Sequence, residues 1–175
     1  PGCVEHYLLH RLRQAPCYLP HLHYLAVEGA EVLGSVVCTR STLTDAQGRA
    51  HPVITIGPLS VRPARQRQGL GSLLMRVIMD VARRQGEKAA FLYGDPAFYG
   101  RLGFRPASAF GITAADGGSI DAFQVIELQQ GALSGLGGRH AEDPIFDDLP
   151  PEAVDAYDRQ FPPMEKKKLP GQLFD

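Results

Sequence analysis

The chain has 175 residues, 44% apolar and 21% charged, which suits one folded domain and excludes collagen, coiled coil and intrinsic disorder for its bulk. A formal net charge of −1 argues against a dedicated nucleic-acid binder, and no apolar run is long enough to span a membrane. The 3 cysteines (Cys3, Cys17 and Cys38) form no CxxC, so no disulfide scaffold and no metal site is expected, and a reducing cytoplasm is the simplest home. The start, Pro1-Gly2-Cys3, has no initiator Met and no apolar leader core, and reads as a trimmed chain lacking an N-terminal element.

In chain order, Val4 to Arg13 carries a loose helical stripe that Pro16 and Pro20 close. His23 to Val27 and Val32 to Thr39 read as two strands joined by the turn Glu28-Gly29-Ala30-Glu31. A turn-rich loop, Thr44 to Gly48, leads to a longer strand, His51 to Val61, in which Gly57-Pro58 predicts a bulge. After a basic, glycine-punctuated loop comes an amphipathic helix, with Leu70, Leu73, Leu74, Val77, Ile78 and Val81 on its expected core face and Gly86 past its end. Lys88 to Tyr93 is a buried strand. Asp95-Pro96 caps a short helix that Gly103 stops, and Ala122 to Leu128 is a further strand. Four glycines in Gly131 to Gly138 predict a flexible link, beyond which lie one helix, Pro151 to Tyr157, and an arm from Phe161 to Lys168.

The sharpest chemical feature is strand, then Gln66-x-x-Gly69-x-Gly71, then helix. Unpaired amides and the positive end of the helix dipole make such a junction a ready anion site, and Arg62, Arg65 and Arg67 add charge suited to phosphate. A tight turn into a core helix is the plainer alternative. The spacing is not that of a Walker A loop, and Gly69-Leu70-Gly71-Ser72-Leu73-Leu74 breaks the Rossmann pattern at its third glycine.

These residues carry a resemblance. Val61-x-Pro63-x-x-Gln66-x-x-Gly69-x-Gly71-x-x-Leu74-Met75 resembles the acyl-CoA pyrophosphate loop of the GNAT N-acetyltransferase superfamily. Gly94-Asp95-Pro96-Ala97-Phe98-Tyr99-x-x-Leu102-Gly103-Phe104 resembles its second signature, in a form familiar from a bacterial branch of N-acetyltransferases. The resemblance covers about residues 22 to 130. It implies an α/β GNAT (acyl-CoA N-acyltransferase) fold, with a mixed, mostly antiparallel, splayed sheet flanked by helices. Residues 1–138 would form the acetyltransferase domain, its first strand and helix reduced or missing. Residues 139–175 would form an appendage packed on that domain or on a partner, since Phe146, Leu149, Val154, Tyr157, Phe161 and Met164 are too apolar for a solvated tail.

The resemblance also implies the chemistry: acetyl transfer from acetyl-CoA to a primary amine of a small molecule or protein, by direct attack in a ternary complex. Main-chain amides of Gln66, Arg67, Gln68, Gly69, Leu70, Gly71 and Ser72 would hold the pyrophosphate. Pantetheine would pair with the main chain at Leu59, Ser60 and Val61, and the Leu59 N–H would polarise the thioester carbonyl. Tyr99 occupies the position of a tyrosine that returns a proton to the CoA thiolate. Some relatives place a glutamate base where this chain has Thr55; threonine cannot take a proton at neutral pH, His51 is at the far end of its strand, and the base stays unassigned. An acyl-CoA sensor without transferase activity, a longer acyl donor and a homodimer stay open. His21 and His23 read as ordinary strand histidines, Cys38 as a small core residue, and Lys166-Lys167-Lys168 as a solvated run.

Overall fold

The computed structural model of the chain describes residues 4–163. Helix α1 (Glu5–Leu12) precedes a hairpin of β1 (Tyr18–Glu28) and β2 (Glu31–Thr44), and β3 (Ala50–Val61) follows. Helix α2 (Leu70–Arg84), β4 (Ala89–Tyr93) and the short helix α3 (Pro96–Tyr99) form the middle of the chain. Short strands β5 (Arg105–Pro106) and β6 (Ile112–Thr113) lead to β7 (Phe123–Glu127), β8 (Gly138–Ala141) and helix α4 (Pro151–Asp158). The strands form one sheet in the order β5-β7-β4-β3-β2-β8-β6, with β1 also pairing β2. Only β3–β4 and β6–β8 are parallel, so the sheet is mixed and mostly antiparallel.

The sheet has a core on each face. Ile54, Ile56, Ala90 and Leu92 pack with Leu74, Met75, Ile78 and Met79 of α2 on one face. Leu43, Val53, Phe91, Phe123 and Val125 form the core of the other. The side of α2 turned inward differs from the expected one. Leu74, Met75, Ile78, Met79 and Ala82 are buried, whereas Leu73 is 56% and Val77 37% exposed. The inward stripe is shifted round the helix, and two methionines and an alanine do work assigned to leucine and valine.

Two strands are longer than their apolar runs. β1 begins at Tyr18 and includes Pro20, which is tolerated because β1 lies off the main sheet order and its register with β2 breaks between Tyr18 and His23. β2 continues through Arg40-Ser41-Thr42 because both of its faces have polar work there. The Arg40 guanidinium meets Glu87 at 2.6 Å beyond α2, and Ser41 bonds inward to Thr55.

The expected flexible link is the main correction. Leu133 is buried beside Leu43 and Phe91, and its N–H donates to the Glu127 carboxylate at 2.8 Å. Gly138 opens β8, at φ +129° and so close to β2 that an added Cβ would lie 2.1 Å from the Thr44 carbonyl oxygen. Gly138 serves close approach, and β8 pairs with β2 at Leu43↔His140 and Thr42↔Ala141. Past β8 the chain packs on α1. Leu8, Leu12 and Cys17 meet Ile145, Phe146 and Leu149, Arg11 reaches Asp148 at 2.9 Å, and the Tyr157 ring lies 4.7 Å from that of His10. Met164 and the Lys166–Lys168 run fall outside the described residues.

Candidate active site

The first functional region grows out of the end of β3. The first main-chain bond of α2 is from Leu73 N–H to Gly69 C=O at 2.9 Å, so the amides of Leu70, Gly71 and Ser72 have no acceptor within the helix. The loop before them is held by its own side chains. Gln66 Nε2 donates to the Val61 carbonyl and Gln68 Nε2 to the Ala64 carbonyl, both at 3.0 Å. Arg67 (φ +58°) and Gly69 (φ +87°) are left-handed, a geometry that turns successive N–H groups toward one concavity. Of the three arginines expected to add charge for phosphate, Arg62 pairs with Glu31 and Arg65 with Glu28 across the β1–β2 hairpin. Arg67 makes no such pair among the described residues.

Beside this loop the sheet opens. β3 and β4 pair only at Ile54↔Ala90 and Thr55↔Phe91. From there Leu92 and Tyr93 pair with β7, while Leu59, Ser60 and Val61 pair with β2. The β3 edge from Ile56 to Val61 therefore has no partner in β4, and Thr55 marks the apex of the gap. Gly57 and Pro58, joined by a cis peptide, together face Val37, which is the expected bulge.

Tyr99 ends helix α3, just past the end of β4, and packs on the core of the α2 face. Asp95 caps α3 by accepting from Ala97 N–H at 2.9 Å. The Tyr99 ring lies against Gly94, where a Cβ would come within 2.0 Å of Cε2, and meets Phe98 and Phe104 edge-on at 4.8 and 5.9 Å. The ring is thus fixed by packing, and no hydrogen bond to its hydroxyl is seen among the described residues. Burial, helped by the Asp95 charge, raises that hydroxyl above the ordinary tyrosine range, so it stays protonated at neutral pH.

A polar group that sequence reasoning missed lies on the face opposite α2. Thr55 Oγ1 is 3.0 Å from Ser41 Oγ and 3.3 Å from His140 Nε2, and His140 Nε2 is 3.0 Å from Ser41 Oγ. The His140 ring stacks on Phe91 at 4.2 Å, and burial lowers its pKa to about 4. A neutral ring whose Nδ1 is buried without a partner places its hydrogen on Nε2, the nitrogen that has acceptors. Thr39, directly across from Thr55, also buries an unpartnered hydroxyl. Glu142, one residue past β8, has its carboxyl pushed up to about 7 by burial and the Asp147 charge, with Thr55 acting the other way. Tyr93 is pushed to about 12 by burial and by the charges of Glu142, Asp116 and Asp147. The pattern His140-x-Glu142 was the available signal, hidden by its glycine-rich approach.

The other singled-out side chains have structural partners. His51 holds Asp45 at 2.9 Å at the far end of β3, and His23 sits between the Tyr18 hydroxyl (2.7 Å) and Ser35 Oγ (3.1 Å). Cys38 is fully buried, and burial pushes its thiol well above the usual range. Among the described residues no group of three or more His, Cys, Asp or Glu side chains gathers as for a metal, and no helix is long and apolar enough to cross a membrane.

A mixed sheet that parts beside a helix bearing free N-terminal amides defines the acyl-CoA N-acyltransferase architecture. Residues 3–104 match the model of the acetyltransferase (GNAT) family, and the chain belongs to that family. The uncharacterized N-acetyltransferase YhbS of Escherichia coli K12 is 34% identical over 94 residues, 54% of this chain and 56% of that protein. The match thus spans about half the length of the curated relative. The crystal structure of E. coli YhbS in complex with CoA is similar at TM-score 0.75 and 28% identity, covering 84% of this chain and 79% of that one. A GNAT family acetyltransferase from Brucella melitensis in complex with acetyl-CoA gives TM-score 0.63 and 26% identity, over 82% of this chain and 79% of that one.

Proposed function

We propose that this chain is an N-acetyltransferase that moves the acetyl group of acetyl-CoA to a primary amine by direct attack in a ternary complex. The observation that carries this reading is the adjoining pair of free amides at Leu70–Ser72 and the unpaired β3 edge at Leu59–Val61. The Gln66–Ser72 loop, Arg67 included, receives the CoA pyrophosphate, whose charge suits the helix N-terminus. Pantetheine lies along the main chain of Leu59, Ser60 and Val61 as a strand would, with the thioester near the apex at Thr55. The Leu59 N–H donates to the carbonyl oxygen; one such donor is worth about 10²- to 10³-fold in rate. As the C–S bond breaks, Tyr99 supplies a proton to the thiolate.

The E. coli and Brucella structures hold CoA and acetyl-CoA, which supports the donor. The acceptor amine enters from the opposite face, since α2 covers the other. An acyl-CoA sensor shares the loop and the gap but transfers nothing, and Thr55 in place of a carboxylate is the observation in its favour. Following thiol release from acetyl-CoA across a panel of amines separates the two. Binding by calorimetry with release above the no-amine rate is the expected result, whereas binding without release supports the sensor.

A further inference from the structure

The transfer reading leaves a proton on the attacking nitrogen, because β3 offers Thr55 at the apex of the gap and a hydroxyl cannot take that proton at neutral pH. We propose that Glu142, carried in by the end of β8, is the general base that deprotonates the amine acceptor. This inference rests on the acetyltransferase reading above.

Placement is the first support. β8 pairs with β2 so that His140 lies opposite Leu43, whose side chain belongs to the core on the face away from α2. Residues two apart along an extended chain share a face, which puts Glu142 on the side of His140 and Thr55. Continued past Thr42↔Ala141, the β8–β2 register brings Glu142 opposite Ser41, whose Oγ is 3.0 Å from that of Thr55, the last β3 residue that pairs with β4. The pyrophosphate loop belongs to α2, on the other face. Donor and acceptor thus approach the thioester from opposite sides of the sheet.

Two buried atoms supply independent support. Thr39 Oγ1 is fully buried, directly across from Thr55, and His140 Nδ1 sits in a ring 1% exposed; neither has a hydrogen-bond partner among the described residues. Buried polar atoms in native proteins are nearly always satisfied, so two orphans on the face that carries Thr55 point to a polar ligand there.

The charge balance suits the task. Burial and Asp147 hold the Glu142 carboxyl at about 7, where a base works best near neutral pH. The groups around it are Asp147 after β8, Tyr93 at the end of β4, Asp116 acting on Tyr93 from the β6–β7 connection, neutral His140 on β8, and Thr55. An ammonium arriving among these acids is attracted, and its charge draws Glu142 back to carboxylate. One proton then passes from the ammonium to Glu142 and on to solvent. The freed nitrogen forms its bond to the thioester carbon, and the C–S bond breaks. The second proton shed by nitrogen balances the one gained by sulfur. Ser41 and His140 position Thr55 and do not touch the acceptor.

Glu142→Gln keeps the shape and removes the base. With acetyl-CoA and the probes spermidine, tyramine and a lysine-containing peptide with a free N-terminus, the wild type should release thiol with at least one. On that amine Glu142→Gln should lose on the order of 10²-fold in kcat/KM at pH 7 while acetyl-CoA affinity by calorimetry is unchanged. Its kcat/KM should then climb about tenfold per pH unit with the free-amine fraction, while the wild type levels off above pH of about 7. Stability gives a readout independent of any acceptor. A carboxyl raised from 4.5 to about 7 contributes stability below the first value that is lost as pH rises through the second. Glu142→Gln should therefore melt higher than the wild type at pH of about 8, with the gain shrinking as the pH falls past 7 toward 4.5. A variant with wild-type kcat/KM and pH profile, or with no gain in Tm at the higher pH, overturns the assignment of Glu142 alone. A wild type that releases no thiol with any probe overturns the transferase reading and this inference with it.

Discussion

The two sides of the gap are built in different ways. On the α2 side, everything proposed to hold the cofactor lies in one stretch, residues 59–72, and acts through main-chain groups. On the other side, Thr55, Ser41 and His140 come from three strands and Glu142 from the residue after β8, with His140 85 residues from Thr55 and 99 from Ser41. A main-chain site depends on backbone shape, which glycine spacing and a helix start specify locally. A side-chain site depends on which strands become neighbours, which only the folded sheet decides. The first tolerates changes of residue type, and the second fails when any contributing strand moves.

The largest test of this contrast is Gly138→Ala. The new Cβ would press on the Thr44 carbonyl at 2.1 Å with φ at +129°, and should cost at least ~3 kcal/mol or prevent folding. Thermal melts decide it; an unchanged Tm would mean that β8 is not clamped to β2. Next is Tyr99→Phe, which keeps the ring on Gly94 and removes only the hydroxyl. We expect kcat to fall on the order of 10²-fold with acetyl-CoA affinity unchanged, and full kcat with chemistry rate-limiting would make Tyr99 a packing residue.

Gly71→Asp probes the main-chain side. An added Cβ has room, 3.7 Å from Phe98 and Val61, and an acid in the first turn favours the helix, so the variant should fold. Its carboxylate would face the pyrophosphate, and calorimetry should show acetyl-CoA binding weakened by at least about tenfold. The smallest effect belongs to Asp45→Asn, far from both sides. Asp45 accepts from the Gln47 and Arg49 main chains at 2.9 Å and pairs with Arg49 and His51, and the His51 bond is the chief cause of its lowered pKa. A lowered carboxyl pKa contributes stability above the unfolded value, about 3.9, that is lost as pH falls through the folded one. The Tm deficit of the variant should be constant near neutrality and shrink only below pH of about 4, with transfer unaffected.

How much of this is legible in the sequence follows the same division. The hairpin, the bulge at Gly57-Pro58, α2 and the Asp95 cap all rest on near-neighbour chemistry, and each is read in place. The inward face of α2 is not, because Leu73 and Val77 look at least as apolar as Met75 and Met79 while the packing prefers the methionines. Arg62 and Arg65 look free for phosphate because Glu28 and Glu31 become their neighbours only when the hairpin folds over the loop. Glu142 is illegible for the strongest reason: it follows glycines that read as a tether, and Thr55 lies across a sheet order that no local pattern encodes.

The extra residue in β3 has one more consequence. Ile54 and Ile56 face α2, and so do Leu59 and Val61, so the strand changes from even to odd step where Val37 spans Gly57 and Pro58. Along a pleated chain the step fixes which way side chains point and also which edge each amide addresses. Deleting either residue would turn Leu59 and Val61 out of the core, and it would turn the amides now facing the open edge toward β2. The strand is thus a phase shifter: one half is timed to the core, and the other half, offset by a single residue, is timed to the gap.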